Sequence, residues 1–214
     1  MRIGIMGGTF DPIHIAHLIL GETAWYEFRL DKVLFMPAGN PPHKRSRDGR
    51  ASNEERSDMV SLAISDNPHF ELSLREMNDD GYTYTYRTLE AMHAERPEDE
   101  LFFIIGADSL FDFDGWREPQ RICDQCTLIV ATRNHTDDAL LDQGIQHVRD
   151  LYGARVEKLD TENMDISSSD IRKWAAAGHP LRYYLPEQVE RYIRENGIYQ
   201  GKTEAGSHDR GIGS

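Results

Sequence analysis

The feature that most constrains the fold of this chain is a regular alternation of short apolar runs with longer amphipathic segments. Several apolar runs contain little polar alternation, which is typical of strands buried on both faces, and strands that alternate with helices favour a parallel sheet. The predicted strands cover residues 2–6, 32–36, 69–74, 101–105, 127–131 and 154–159, and the predicted helices cover residues 14–29, 52–66, 85–95, 137–151, 169–177 and 186–195. The sequence therefore predicts an α/β fold with a doubly wound parallel sheet.

The length of 214 residues suits one domain with a substantial core. We expect a single domain over residues 1–199, with a small helical part at its C-terminal end. Residues 200–214 are polar and glycine-rich and follow the last predicted helix. We predict that they form a disordered tail without a chemical role.

Charge and hydropathy exclude several classes of partner. The chain has 24 Lys+Arg and 37 Asp+Glu, and its formal net charge of −13 argues against coating nucleic acid or an anionic membrane. No apolar run approaches the roughly 18 residues of a membrane helix, and Met1 leads into the first predicted strand without a signal peptide. We therefore expect a cytoplasmic protein.

The two cysteines, Cys123 and Cys126, precede a strand, which is the wrong order for a redox motif. They are interpreted as incidental reduced thiols near a strand edge.

Ligands of doubly wound sheets bind beyond the carboxyl ends of the strands, so function is expected in the loops there. The loop after the first strand reads Gly-Gly-Thr-Phe-Asp-Pro-Ile-His-Ile-Ala-His over residues 7–17. Paired glycines let a ligand approach the backbone, Asp11 and Pro12 predict a helix start, and His14 and His17 share one helix face. Helix N-termini bind phosphate, so we predict a phosphate site. The alternatives are a solvated or core histidine pair, or two metal ligands that would need further partners.

A basic, turn-rich loop over residues 37–50 follows the second strand. Its prolines restrict the backbone and can aim Lys44 back toward the site, so we assign a function to His43 and Lys44. Charge runs are usually solvated loops, which is sufficient to explain the arginines Arg45, Arg47 and Arg50.

A second helix start lies at residues 165–174, Asp-Ile-Ser-Ser-Ser-Asp-Ile-Arg-Lys-Trp. Ser167 and Asp170 have the spacing of a capping box and predict a helix that begins at the serines. Arg172 and Lys173 would lie in its first turns, where the helix dipole disfavours cations, so a bound anion would explain them. The alternative is a salt bridge between Arg172 and a nearby carboxylate. Together the two helix starts suit the two ends of a triphosphate.

The fourth predicted strand ends in a glycine and a carboxylate, Gly106 and Asp108. A carboxylate just past a strand commonly accepts ribose hydroxyls, and Trp116 offers a ring face for stacking. A helix cap and a core tryptophan are the alternatives. Thr83, Thr85 and Thr88 precede or begin the predicted helix at 85–95, and helix capping is the alternative for them as well.

These motifs resemble those of a known enzyme family. Residues 7–17 and the Ile-Ser-Ser-Ser-Asp-Ile-Arg at 166–172 resemble nucleotidylyltransferases with His-x-Gly-His and Ile-Ser-Ser-Thr motifs. Four further features resemble the bacterial nicotinate-nucleotide adenylyltransferases in particular. They are Pro-Pro-His-Lys at 41–44, Tyr-Thr-Tyr-Arg-Thr-Leu at 84–89, Gly-Ala-Asp-Ser-Leu at 106–110 and Trp116. It covers residues 1–199.

The chain departs from the family pattern at three positions. Ala16 replaces the glycine of His-x-Gly-His, and Ser169 replaces threonine while keeping the hydroxyl. Arg87 stands where the family often has aspartate, and we assign no role to it.

The resemblance implies a Rossmann-like nucleotidylyltransferase domain that transfers AMP from ATP to nicotinate mononucleotide, giving deamido-NAD and pyrophosphate. It implies that Mg²⁺ is held mainly through the ATP phosphates and that the protein itself has no metal site. The expected partners are small nucleotides, with neither nucleic acid nor membrane among them. A homo-oligomer is possible under this resemblance. The implied ATP site comprises Gly7, Gly8, Thr9, Phe10, His14, His17, Gly106, Asp108, Ile166, Ser168 and Arg172. The implied substrate site comprises Asn40, His43, Lys44, Thr85 and Trp116, and the implied catalytic residues are His14, His17, Lys44 and Arg172.

The substrates that the resemblance implies, together with their chemistry, limit the mechanism. The nucleophile would be the 5′-phosphate of the mononucleotide, whose second pKa of about 6 leaves it mostly dianionic at neutral pH, so no general base is required. The alternatives are a related adenylyltransferase for nicotinamide mononucleotide or phosphopantetheine, and a nucleotide-binding regulator without catalysis.

Overall fold

A single parallel sheet forms the centre of the molecule. The computed structural model describes residues 1–39, 49–77, 82–132, 138–161 and 164–200, so the predicted tail lies outside it from residue 201 onward. The strands in these ranges are β1 (Arg2–Gly8), β2 (Lys32–Pro37), β3 (Phe70–Leu72), β4 (Glu100–Gly106), β5 (Cys126–Ala131) and β6 (Arg155–Leu159). Their order is β3-β2-β1-β4-β5-β6, and each neighbouring pair is parallel. The predicted doubly wound α/β fold is confirmed.

Helices connect the strands across both faces of the sheet. They are α1 (Ile15–Glu27), α2 (Asn53–Ile64), α3 (Thr85–Glu95), α4 (Ala107–Phe111), α5 (Pro119–Gln125), α6 (Asp138–Tyr152), α7 (Ser168–Ala176) and α8 (Glu187–Glu195), with a 3₁₀ turn over Phe113–Gly115. Each predicted helix is present within a few residues of its expected bounds. Helix α5 is absent from the sequence prediction, because seven residues are too few to display a helical period.

The core consists of two apolar layers, one on each face of the sheet. Met6 and Ile104 belong to the layer that packs against α1, α2, α7 and α8. Ile5 and Phe103 belong to the opposite layer, which α3, α5 and α6 cover. Alternate residues of the central strands thus enter opposite layers, which is why these strands have nearly continuous apolar sequences.

Of the two helices with predicted caps near the site, α7 begins as its sequence predicts and α1 does not. The Ser167 hydroxyl accepts the Asp170 backbone N–H at 3.1 Å and caps α7, as the capping-box spacing indicates. Helix α1 instead begins at Ile15 with His14 in the N-cap position, so the predicted cap at Asp11 is wrong. The Asp11 carboxylate is buried and accepts a hydrogen bond from the distant Tyr199 hydroxyl, which removes it from the helix end.

The cysteines lie inside the fold. Cys123 belongs to α5, Cys126 opens β5, and both are free and buried. Within the described ranges, no helix combines the length and apolar character required to cross a bilayer.

Candidate active site

Two adjacent cavities open at the carboxyl ends of β1 and β4. The chain leaves β1 for β2 on one side and later returns to place β4 on the other, so this is the topological switch point at which such sheets bind ligands. One cavity, of about 430 Å³, is lined by His14, His17, Gly106 and Asp108 and is called the histidine cavity here. The other, of about 520 Å³, is lined by Thr83, Thr85 and Thr88 and is called the threonine cavity. The two share the walls formed by Gly7, Gly8, Thr9, Phe103, Ser109 and Trp116.

The glycines at the end of β1 allow tight packing around this shared wall. A Cβ atom on Gly8 would lie 3.1 Å from the Phe10 ring, closer than ordinary van der Waals contact. Phe10 itself is buried in the core at a φ of 47°, and its ring meets His17 edge-on with centroids 5.1 Å apart. Phe10 therefore contacts a side chain of the histidine cavity, although it is not itself among the residues that line the cavity.

The rings of His14 and His17 lie close together at a tilt of 31°, and one hydrogen bond defines the tautomer of His17. Their ring centroids are 3.8 Å apart, and the His14 backbone N–H donates to His17 Nδ1 at 3.2 Å. Because Nδ1 accepts, the neutral His17 ring carries its hydrogen on Nε2. The histidine cavity thus has an imidazole donor of defined tautomer in its wall.

The threonine cavity adjoins the start of α3. Thr85 is the first residue of this helix, and the N-cap residue, Tyr84, makes no side-chain capping hydrogen bond. The first-turn N–H groups and the positive end of the helix dipole therefore favour an anion at this position. The Thr88 hydroxyl donates to Glu76 Oε1 at 2.9 Å, which places a carboxylate in the same wall.

Trp116 lies in the wall between the cavities. It is half-buried, with its ring edge-on to Phe103 at a centroid distance of 6.1 Å and tilted against Phe113 at 5.5 Å. The ring is partly exposed and also packs against the core layer that contains Phe103 and Phe113.

Helix α7 is docked onto the loop that follows β1. The Ser168 hydroxyl donates to the Pro12 carbonyl at 2.8 Å, and Arg172 Nη1 donates to the Asp11 carbonyl at 2.6 Å. Arg172 Nη1 also lies 3.8 Å from Asp11 Oδ2, so the salt-bridge alternative for Arg172 is present in the structure. Arg172 opens onto a third cavity together with Arg50 and Lys173, and neither it nor Ser168 is among the residues that line the histidine cavity.

Two further contacts lie at the start of α7, one made by the Asp170 carboxylate and one by the Ile166 side chain. Hydrogen bonds from Ser167 and Lys173 hold the pKa of the Asp170 carboxyl below its usual value. Ile166 packs against the core as a partly buried side chain.

Comparison with known proteins assigns the chain to a family. The model of the cytidylyltransferase-like family matches residues 5–174, which is most of the chain. The chain belongs to the cytidylyltransferase-like family. It is 42% identical over 209 residues to the probable nicotinate-nucleotide adenylyltransferase of Thermoanaerobacter sp. (strain X514), a match covering 96% of this chain and 98% of the relative. It is 43% identical over 199 residues to the protein of the same name from Desulfitobacterium hafniense (strain DSM 10664 / DCB-2), covering 93% and 96%.

Solved structures agree on the fold. The Plasmodium falciparum nicotinic acid mononucleotide adenylyltransferase complexed with NaAD matches with a TM-score of 0.74 at 19% identity, covering 92% of this chain and 97% of that chain. The Rossmann-like nucleotidylyltransferase fold implied by the resemblance is therefore confirmed.

Some predicted site residues of this cytidylyltransferase-like chain are brought together and others lie outside the described residues. The end of β1, both histidines, Gly106 and Asp108 meet at the histidine cavity, while Thr85 and Trp116 meet at the threonine cavity. Asn40, His43 and Lys44, and also Arg45 and Arg47, fall in the range 40–48, which the structure does not describe. Asn40, His43 and Lys44 keep the roles that the resemblance implies, and Arg45 and Arg47 keep the interpretation as solvated loop residues.

The structure adds residues that sequence reasoning missed. Arg56 is 3% exposed and donates to the Thr9 carbonyl and, at 2.7 Å, to the Ala38 carbonyl, so it joins the loops after β1 and β2. A signal existed, because Arg56 lies at helical spacing from the buried Met59 and Val60 and interrupts an apolar face. The contact of Asp11 with Tyr199 had no such local signal.

Proposed function

We propose that this chain is a nicotinate-nucleotide adenylyltransferase, which transfers AMP from ATP to nicotinate mononucleotide and releases deamido-NAD and pyrophosphate. The observation that carries the proposal is the pair of cavities sharing one wall at Gly7, Gly8 and Thr9. Two nucleotides bound on either side of that wall would bring their phosphates together over the glycines. The relatives named probable nicotinate-nucleotide adenylyltransferase support the same reaction.

ATP is assigned to the histidine cavity. Asp108 lies in the first turn of α4, directly after β4, where a carboxylate can accept ribose hydroxyls. His14 and His17 lie at the start of α1, where imidazole donors and the helix N-terminus can receive phosphate oxygens. Ile166, Ser168 and Arg172 remain proposed contributors on the triphosphate side, acting through α7.

Nicotinate mononucleotide is assigned to the threonine cavity. The Trp116 ring offers a stacking face for the pyridine ring, and the start of α3 at Thr85 offers N–H donors to the nicotinate carboxylate. A nicotinamide has no negative charge for this helix end to stabilise. The proposed preference for nicotinate rests on that difference.

The reaction requires alignment more than proton transfer. A 5′-phosphate oxygen of the mononucleotide forms a bond to the α-phosphorus of ATP, while the bond to the bridging oxygen breaks and pyrophosphate leaves with the electron pair. Since the attacking phosphate is already dianionic, the protein has to hold two anions in line and donate hydrogen bonds to the developing charge. We assign that donation to His14, His17 and Arg172, with Lys44 added from the resemblance.

Magnesium is proposed to enter with ATP. Among the described residues there is no group of three or more His, Cys, Asp or Glu side chains that could hold a metal ion. Phosphate oxygens and water are suitable ligands for Mg²⁺, so the ion would be carried chiefly by the nucleotide. We further propose that the enzyme acts in the cytoplasm on small nucleotides.

A pyrophosphate-release assay tests the function. Purified protein is given ATP and Mg²⁺ with nicotinate mononucleotide, nicotinamide mononucleotide or phosphopantetheine in turn. We expect kcat/KM for nicotinate mononucleotide to be the highest by about tenfold or more, the factor given by one charge-assisted hydrogen bond. A higher value for another acceptor would reassign the substrate, and ATP binding without any release would indicate a nucleotide-binding regulator.

A further inference from the structure

A buried hydrogen-bond network joins the loop after β1 to the last described turn of the chain. The Asp11 side chain is 2% exposed, and its Oδ1 accepts the Tyr199 hydroxyl at 2.7 Å and the Ala51 backbone N–H at 3.1 Å. Tyr199 is buried too, although 188 residues separate it from Asp11. Burying a carboxylate is unfavourable unless hydrogen bonds compensate for the lost water, so these two donors fix the position of Asp11.

The same short segment is held from α7. Arg172 donates to the Asp11 carbonyl at 2.6 Å, and Ser168 donates to the Pro12 carbonyl at 2.8 Å. Residues 11 and 12 are therefore anchored on three sides, by the C-terminal segment, by the residue before the N-cap of α2 and by α7. They lie in sequence between the glycines of the shared wall and the two histidines.

Burial favours the protonated form of the Tyr199 hydroxyl. The loss of water around the Tyr199 hydroxyl, together with the negative charge of Asp11, raises the pKa of this phenol well above its usual value. Tyr199 thus retains its hydrogen at neutral pH and acts as the donor to Asp11.

We infer that Asp11 and Tyr199 are positioning residues that set the loop carrying His14 and His17, and through it the ATP side of the site. The identity of the ligand rests on the proposed function. Neither residue lines the histidine cavity or the threonine cavity. Tyr199 does line the third cavity with Arg172, but its hydroxyl donates to Asp11, so we assign its effect to the loop and not to contact with a nucleotide. The inference requires that disturbing them impairs the use of ATP selectively.

Replacing Tyr199 by phenylalanine is the direct test, because it removes one hydroxyl and keeps the ring. Tyr192→Phe is the matched control: the Tyr192 hydroxyl also donates to a carboxylate, Asp58 Oδ2 at 2.7 Å, but this pair is on the exposed surface. We expect Tyr199→Phe to lower kcat/KM for ATP about tenfold, the effect of losing one hydrogen bond to a buried charge. We expect KM for nicotinate mononucleotide to change by less than about twofold, and both parameters to stay within that limit in Tyr192→Phe.

Amide hydrogen exchange provides a readout that does not depend on activity. In the substrate-free protein, we expect residues 9–17 to exchange faster in Tyr199→Phe than in the wild type, with no change there in Tyr192→Phe. Asp11→Asn weakens the same contact from the other side, and we expect it to speed exchange in the same loop, which keeps the inference testable if Tyr199→Phe does not fold.

Two results would overturn the positioning role: unchanged exchange of residues 9–17, or an equal loss with both substrates. A wild-type protein without pyrophosphate release would contradict the proposed function, while the exchange measurement would still decide whether Tyr199 holds the loop.

Discussion

His17 illustrates how a single backbone contact can define a reactive group. Its Nδ1 accepts the N–H of His14 at 3.2 Å, which leaves the hydrogen of the neutral ring on Nε2. The contact is local, because the two residues are three positions apart at the start of α1. The three-residue spacing of His14 and His17 in the sequence therefore determines both the contact between them and the tautomer of His17.

Removing this donor should affect the chemical step more than the fold. We expect His17→Ala to lower kcat by roughly 10²- to 10³-fold, the usual loss for one donor to developing oxyanion charge. The measurement is steady-state pyrophosphate release, with His179→Ala as the control, since His179 is an exposed histidine away from both cavities. Near wild-type turnover in His17→Ala would exclude this residue from the mechanism.

Arg172 has a contact with the protein as well as a proposed contact with ATP. If its guanidinium also donates to an ATP phosphate, as proposed, Arg172→Ala removes one charge-assisted hydrogen bond to the nucleotide and should raise KM for ATP by about tenfold. Lys173→Ala removes the neighbouring, more exposed cation, which pairs with Asp170, and should leave KM nearly unchanged. An unchanged KM and rate in Arg172→Ala would leave the salt bridge with Asp11 as the whole role of this side chain.

Residues were predictable where their signal was local. The glycines of β1, the histidine pair and the cap at Ser167 follow from spacing within a few positions. Asp11 was misassigned as a helix cap because its true partner, Tyr199, is 188 residues away. Arg172 lines a different cavity from His14 and His17, which is also a tertiary property that no short motif encodes.

Among the secondary structure elements, those with long apolar patterns were predicted best. The bounds of α3, 85–95, agree with the structure, and β1 and β4 are longer than predicted by one or two residues at an end. The predicted strand 69–74 shrinks to Phe70–Leu72, because β3 is an edge strand that pairs only with β2. The order of the strands depends on how the helices pack and could not be predicted from periodicity.

The loops of the site are also held by a helix. Arg56 extends from α2 to the carbonyls of Thr9 and Ala38, at the ends of the two neighbouring strands β1 and β2. We expect Arg56→Met to lower the free energy of unfolding by roughly 2 to 4 kcal/mol, since the partly buried carbonyls of Thr9 and Ala38 would lose a charged donor. Urea denaturation measures this, and Arg191→Met, an exposed arginine of α8, should change it by less than about 0.5 kcal/mol. A loss no larger than that of the control would mean that water replaces the guanidinium.

For the whole molecule, the two thiols report on global unfolding. Burial raises the pKa of Cys123 to about 11 and that of Cys126 to about 12. The thiolate is the reactive form, so neither should react with a thiol-specific disulfide reagent at pH 8 in the folded protein. In denaturing urea both should react, and the absorbance of the released thiol counts them. Rapid labelling of the native protein would contradict the buried positions in α5 and β5.

The net charge of −13 affects which ligands the molecule as a whole can bind. The proposed substrates are anions, yet the donors offered to them are concentrated at the strand ends, among them His14, His17 and the start of α3. A small site of this kind can accept two nucleotides while the acidic surface still repels long polyanions.

The contact between Asp11 and Tyr199 has a consequence for how the protein is made. The ribosome inserts Tyr199 188 residues after Asp11, a delay of about 10 to 40 seconds at ordinary rates of synthesis. During that interval residues 7–17 lack this anchor, so an incomplete nascent chain would bind ATP poorly at the proposed site. The order of translation would thus keep the proposed adenylyl transfer inactive until nearly the whole domain has been synthesised.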